Sequence, residues 1–152
     1  MCMALAHALE HPGKLRLDEQ TYMAVQTIYY PGFTVGGIGE VLAVIATLIL
    51  ALVMRNDGAA FWWAQAAFIA VLAMHAVFWL VTQPVNKYWV KNQQLNKVGV
   101  RFFAVDRANR QSSEKTTNPD WKQLRNRWEY SHIVRAVLAV IALIAVTIAI
   151  AI

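Results

Sequence analysis

Cys2 is the only cysteine in this 152-residue chain, so no internal disulfide and no cysteine-based metal site is available to it. Charge is scarce as well. Only 15% of the residues are charged, against roughly 25% in an ordinary soluble domain, while 58% are hydrophobic and the mean hydropathy is +0.39. The chain has no Ser-His-Asp order, no phosphate-cradling glycine loop and no zinc-protease motif, which leaves hydrolase and nucleotide-dependent readings without support. It also lacks internal repeats and low-complexity tracts.

What is present is three long apolar runs with basic residues gathered on one flank. Lys14 and Arg16 precede the first run, and Arg55 alone lies between the first two. Lys87, Lys91, Lys97, Arg101, Arg107, Arg110, Lys115, Lys122, Arg125 and Arg127 fill the stretch before the third. Lys and Arg beside a spanning helix are retained on the cytoplasmic side. The pattern predicts a multi-pass protein of the bacterial inner membrane with its basic loops cytoplasmic and the C-terminus on the far side. The net charge of +5 would point to nucleic acid in a soluble chain, but no recognition motif accompanies it, and topology and anionic headgroups account for the basic residues. The expected partner is the lipid bilayer, and nucleic acid is not expected.

The fold class follows as all-α, an integral membrane helical bundle forming a single domain over residues 1–152. Three full spanning helices are expected at 22–54, 59–83 and 119–152, each with about the 20 apolar residues needed to cross the hydrocarbon core. The turn Arg55-Asn56-Asp57-Gly58 is short enough to make the first two an antiparallel hairpin. Trp62 and Trp63 at one end and Tyr88 and Trp89 at the other mark the interfacial belts. Residues 1–11 are apolar and helix-prone but too short to span, with Pro12-Gly13 expected to end them. They read as the cytoplasmic end of a truncated N-terminal helix, or as a re-entrant half helix. Residues 86–117 read as a cytoplasmic loop with an amphipathic helix carrying Phe102 and Phe103 toward lipid. Asn118-Pro119 reads as the cap and first turn of the last helix.

Several polar residues stand where a bilayer tolerates few. At 100° per residue Trp121, Arg125, Trp128, His132 and Arg135 share one stripe of the last helix, with Glu129 at its border. His75, Trp79, Thr82 and Asn86 share a face if their helix continues through Pro84; Gln26, Tyr30, Gly37 and Glu40 do so subject to a kink at Pro31. Counting along the helices puts Glu40, His75, His132 and Arg135 in the same half of the bundle, and His7 and Glu10 arrive at that level. Charged groups in lipid cost several kcal/mol unless they face inward and pair, so one shared polar pocket is expected.

The chemistry of that pocket stays open between two readings. Glu129-x-x-His132 and, in reverse order, His7-x-x-Glu10 have the spacing used by di-iron bundles, and Glu40 and His75 would complete a ligand set for iron or manganese. Metal candidates are therefore His7, Glu10, His75 and Glu129, and a haem carrier using His7, His75 and His132 belongs to the same reading. Ion pairs among Glu40, Glu129 and Arg135, with the histidines as interhelical hydrogen-bond partners, need no metal. Gly36, Gly37 and Gly39 suit close helix packing or a flat ligand beside Glu40. Tyr29, Tyr30, Phe33, Trp79 and Trp128 would line such a site or anchor at the interface.

The series HALEHPGKLRL, QTIYYPGF, GGIGE and QPVNKYW, followed by Trp128-Glu129-x-x-His132-x-x-Arg135, resembles a bacterial branch of the anthrone oxygenase-like membrane proteins. The resemblance implies four spanning helices and, for members acting on polyketide anthrones, oxygenation of an activated carbon to a quinone without an obvious organic cofactor. It makes His132, Arg135 and Asn86 the catalytic candidates, His132 accepting a proton and Arg135 stabilising the resulting enolate. Trp128, Glu40, Trp79 and Tyr30 would bind the substrate. The expected function is a membrane oxidoreductase, oxygenase-like, acting on a lipophilic aromatic or quinone-type small molecule. A non-enzymatic accessory or assembly subunit, whose partner is another membrane protein or a second copy of the chain, is the alternative; the cofactor is none, iron or haem.

Overall fold

A computed structural model describes residues 2–29, 32–89 and 120–152, and among them every regular element is helical. Helix α1 covers Cys2–Lys14 and α2 Glu19–Gln26; a 3-10 turn at Thr27–Tyr29 precedes α3, Gly32–Val53. Helix α4 runs Ala59–Val77, passes through a π-helical turn at Phe78–Thr82 and continues as α5, Gln83–Trp89. Helix α6 is the longest, Trp121–Ala151. Three helical segments are long and apolar enough to cross a membrane: Gly36–Val53, Ala59–Asn86 and Trp121–Ala151.

Packing identifies the solvent. The largest interface joins α4 to α6, and both helices bring alanines to it: Ala60, Ala64, Ala67 and Ala70 from one, Ala136, Ala139, Ala142, Ala145 and Ala149 from the other. Meanwhile Leu52, Ile69, Leu72, Ile141, Leu143 and Ile144 point outward. Small side chains inside and branched apolar ones outside reverse the soluble pattern, because the bilayer solvates Leu and Ile while alanine lets backbones approach closely. This is a membrane protein. Trp62 and Trp63 at one end and Tyr88 at the other are exposed as interfacial belts require, but Trp89, expected beside Tyr88, is buried in a cluster with Tyr22, Val85 and Trp128.

Local chemistry explains the bends. Gly58, at φ +53°, closes the α3–α4 hairpin, a backbone conformation that a side chain disfavours. Pro84 has no N–H to give to a carbonyl four residues back, and the helix passes it by widening: the Gln83 N–H bonds Phe78 O, five residues earlier. The widened turn directs Thr82 into α6, where its hydroxyl meets Ser131 Oγ at 2.8 Å while Ser131 donates to Trp128 O at 2.6 Å.

Several boundaries differ from the sequence reading: the helix expected over 22–54 is broken by the 3-10 turn at Thr27–Tyr29 ahead of α3, and the one expected to end at 83 continues to Trp89. Helix α1 continues through Pro12 to Lys14, because a proline in the last turn removes only one backbone bond and Lys14 gains an ion pair with Glu10, four residues back. The cap of α6 is Asp120, whose carboxylate accepts from Lys122 N at 3.0 Å. Tyr30, Pro31, the expected amphipathic segment with Phe102 and Phe103, and Asn118-Pro119 lie outside the described residues.

Candidate functional site

The first half of α6 carries Arg125, Trp128, Glu129, His132 and Arg135, and all five are buried. Helix α1 packs along this stripe and covers it with His7 and Lys14. The His7 ring lies 4.2 Å from the His132 ring, 4.7 Å from Trp128 and 4.5 Å from Tyr29, centroid to centroid. Lys14 Nζ reaches Glu10 at 2.9 Å, His7 Nδ1 at 3.2 Å and Glu129 at 3.6 Å, and lies over the Tyr29 and Trp128 rings. Tyr22 donates to Glu129 at 2.9 Å and Tyr29 to Glu10 at 2.5 Å.

On the α3 side Arg135 Nη2 donates to both oxygens of Glu40, at 2.5 and 2.6 Å, while Nη1 reaches His132 Nδ1 at 3.2 Å and the guanidinium lies over Phe78. A guanidinium has donors only, so His132 Nδ1 accepts and the hydrogen of the neutral ring sits on Nε2. That Nε2 is buried and has no hydrogen-bond partner among the described residues; the same holds for Glu129 Oε2 and Arg135 Nε. The ammonium of Lys14 likewise donates to His7 Nδ1. Burial first, then the charge of Lys14, pushes His7 down to about 3, so its ring is neutral. At Glu10 burial is outweighed by the bonds from Tyr29 and Lys14, and its carboxyl lies below the usual range. Both tyrosines are pushed up, by burial and then by their carboxylate partners, and remain phenols.

Beside the pair lies a cavity of about 400 Å³ between α3, α4 and α6. Gly36, Gly39, Glu40, Ala43, Met74, Ala139 and Ala142 contribute to its wall together with Met3 of α1, and the exposed Leu143 shows that it opens outward. The Met3 thioether sits so close to Gly36 that a Cβ there would collide with it, whereas a Cβ at Gly39 would meet open space.

The structure thus joins Glu40, Arg135, His132, Trp128, His7, Glu10 and Glu129 in one network. Asn86 belongs to it through Trp128, whose indole N–H donates to the Asn86 carbonyl at 2.7 Å, and Asn86 is held in turn by Gln83 at 3.0 Å. His75 and Trp79 form a pair at 2.9 Å, with Trp79 half exposed; Phe78, which stacks on His75, also lies under the Arg135 guanidinium and links the pair to the network. Among the described residues no three His, Cys, Asp or Glu side chains form a group suited to a metal; His7, Glu10, His75 and Glu129 do not make one ligand sphere. Lys14 and Tyr22 carry the least sequence signal. Lys14 reads as a flanking cation unless the helix is known to pass Pro12, and no spacing or motif singles out Tyr22.

Residues 26–145 match the family model for anthrone oxygenase. The chain belongs to the anthrone oxygenase family. That stretch holds Glu40, Asn86, Trp128, Glu129, His132 and Arg135 of this anthrone oxygenase-like protein, while His7, Glu10, Lys14 and Tyr22 precede it. No curated protein and no solved structure gives a match.

Proposed function

We propose that the protein is a membrane oxidoreductase, oxygenase-like, that converts an activated methylene of a lipophilic aromatic molecule to a carbonyl with dioxygen. The overall change is balanced when a CH2 group and O2 give C=O and one water. The observation that carries this reading is the buried Glu40–Arg135–His132 chain, whose Glu40 stands on the wall of a cavity that is otherwise apolar among the described residues. Volumes of about 300–1,000 Å³ with few polar groups suit a small lipophilic ligand. A neutral arene can partition from lipid, and the Glu40 carboxylate on the wall, with the Arg135 guanidinium bonded behind it, supplies the charges that deprotonation of such a ligand needs nearby. Membership of the anthrone oxygenase family supports the same chemistry. Trp128, held by Asn86, belongs to the polar network nearer the start of α6 and is not on the cavity wall.

The experiment is oxygen consumption by the purified protein in nanodiscs with anthrone, with quinone formation followed by absorbance. One O2 consumed per quinone, with the rate lowered at least a hundredfold in Arg135→Leu, is expected. A wild-type rate equal to that of empty nanodiscs would end the proposal.

A further inference from the structure

We infer that Glu40 is the proton acceptor of this site and that the cavity between α3, α4 and α6 seats a neutral, flat carbon acid, with Arg135 and His132 as positioning residues. The inference rests on the oxygenase reading and assigns the base within it. Among the described residues lining the cavity Glu40 is the only ionisable one; the others are glycine, alanine, valine, leucine and methionine. Among the described residues a charged or strongly polar ligand would find no other ionisable side chain there, which favours an occupant that is apolar apart from the group that meets Glu40. Gly39 and Ala43 put no bulky side chain on the α3 wall, and a Cβ at Gly39 would meet open space, which leaves room for a ring to lie against that helix.

The hydrogen bonds decide between the two candidate bases. His132 receives the Arg135 N–H on Nδ1, so its other nitrogen bears a hydrogen and donates rather than accepts. Glu40 is a carboxylate in place beside the cavity. When it takes the proton, the ligand C–H bond breaks and its electron pair delocalises onto the ligand carbonyl oxygen. The negative charge passes from Glu40 to the enolate, while Arg135, bonded to Glu40 and off the cavity wall, holds the carboxyl group in place between them. No net charge is created in a low-dielectric site, which keeps the step inexpensive. Dioxygen then adds to the enolate carbon, Glu40 returns its proton to the peroxide, and loss of water gives the carbonyl.

The test follows deuterium uptake at the anthrone methylene in D2O without oxygen, using the full-length protein in nanodiscs, beside aerobic turnover. Glu40→Gln is expected to lower exchange at least a hundredfold and Glu40→Asp about tenfold. His132→Gln, whose carbonyl can still accept from Arg135, should retain more activity than His132→Leu. Gly39→Leu leaves every charge in place and should abolish exchange with an unchanged melting temperature, which separates a filled cavity from a misfolded protein. Exchange surviving in folded Glu40→Gln but lost in His132→Gln would overturn the base assignment while the oxygenase reading stands. Wild-type exchange in Gly39→Leu, or a cavity occupied by lipid acyl chain that anthrone does not displace, would overturn the seat. Absence of both exchange and turnover in the wild type would overturn the oxygenase reading itself.

Discussion

Glu40 and Arg135 stand 95 positions apart and meet through one nitrogen, Arg135 Nη2 lying 2.5 and 2.6 Å from the two carboxylate oxygens. Both are almost fully buried, so each is the other's substitute for water. Removing one partner of such a pair costs about 3 to 5 kcal/mol, whereas replacing both with apolar residues is often neutral. Arg135→Leu and Glu40→Leu should each lower the melting temperature sharply, and the double variant should recover most of the loss. Additive losses in thermal unfolding would show that the pair is not coupled.

Tyr22 is fully buried, and its hydroxyl donates to Glu129, which has no exposure either. Tyr22→Phe takes that donor from the carboxylate and should destabilise by about 1 to 3 kcal/mol. A melting temperature within error of wild type would mean that Lys14, 3.6 Å from Glu129, satisfies the carboxylate alone.

The alanine seam predicts position-dependent tolerance. Ala67 and Ala145 are buried in the α4–α6 interface, while Ala66 faces outward. Leucine at either buried site should cost about 1 to 3 kcal/mol by overpacking, and leucine at 66 should be nearly neutral. Equal effects at 66 and 67 would place the helix faces wrongly.

Protonation of His7 is disfavoured in the fold, its value falling from the ordinary 6.5 to about 3. Between those values the unfolded chain binds more protons than the folded one, so stability rises with pH and is lost on acidification below 6.5. Glu10, held below its ordinary 4.5, adds acid sensitivity only beneath that value. His7→Gln should therefore flatten the stability curve between pH 6.5 and 4.5 and keep the Lys14 contact through its amide oxygen. A curve parallel to wild type in that window would show His7 solvated.

Much of the fold is legible because lipid imposes simple rules. Run lengths located the three spans, the 55–58 turn implied the hairpin, and the stripe Arg125, Trp128, His132 and Arg135 follows from helical geometry alone. Helical counting also placed Glu40 at the level of Arg135. His75 and Trp79 share that level by the same counting, yet they pair with each other, since height along a helix says nothing about which way a rod is turned.

By itself, then, the sequence determined that the chain lies in a bilayer and which residues have the chemistry to matter, because hydrophobic length and residue type are properties of a linear string. The tertiary structure alone decided that Lys14 and His7 cap the site, that Arg135 sets the tautomer of His132, and that Glu40 is the polar residue on the cavity wall among the described residues. Those outcomes depend on side chains from three separate helices meeting within hydrogen-bond distance, and that geometry arises only when the alanine seam and the widened turn at Pro84 fix how the helices are rotated.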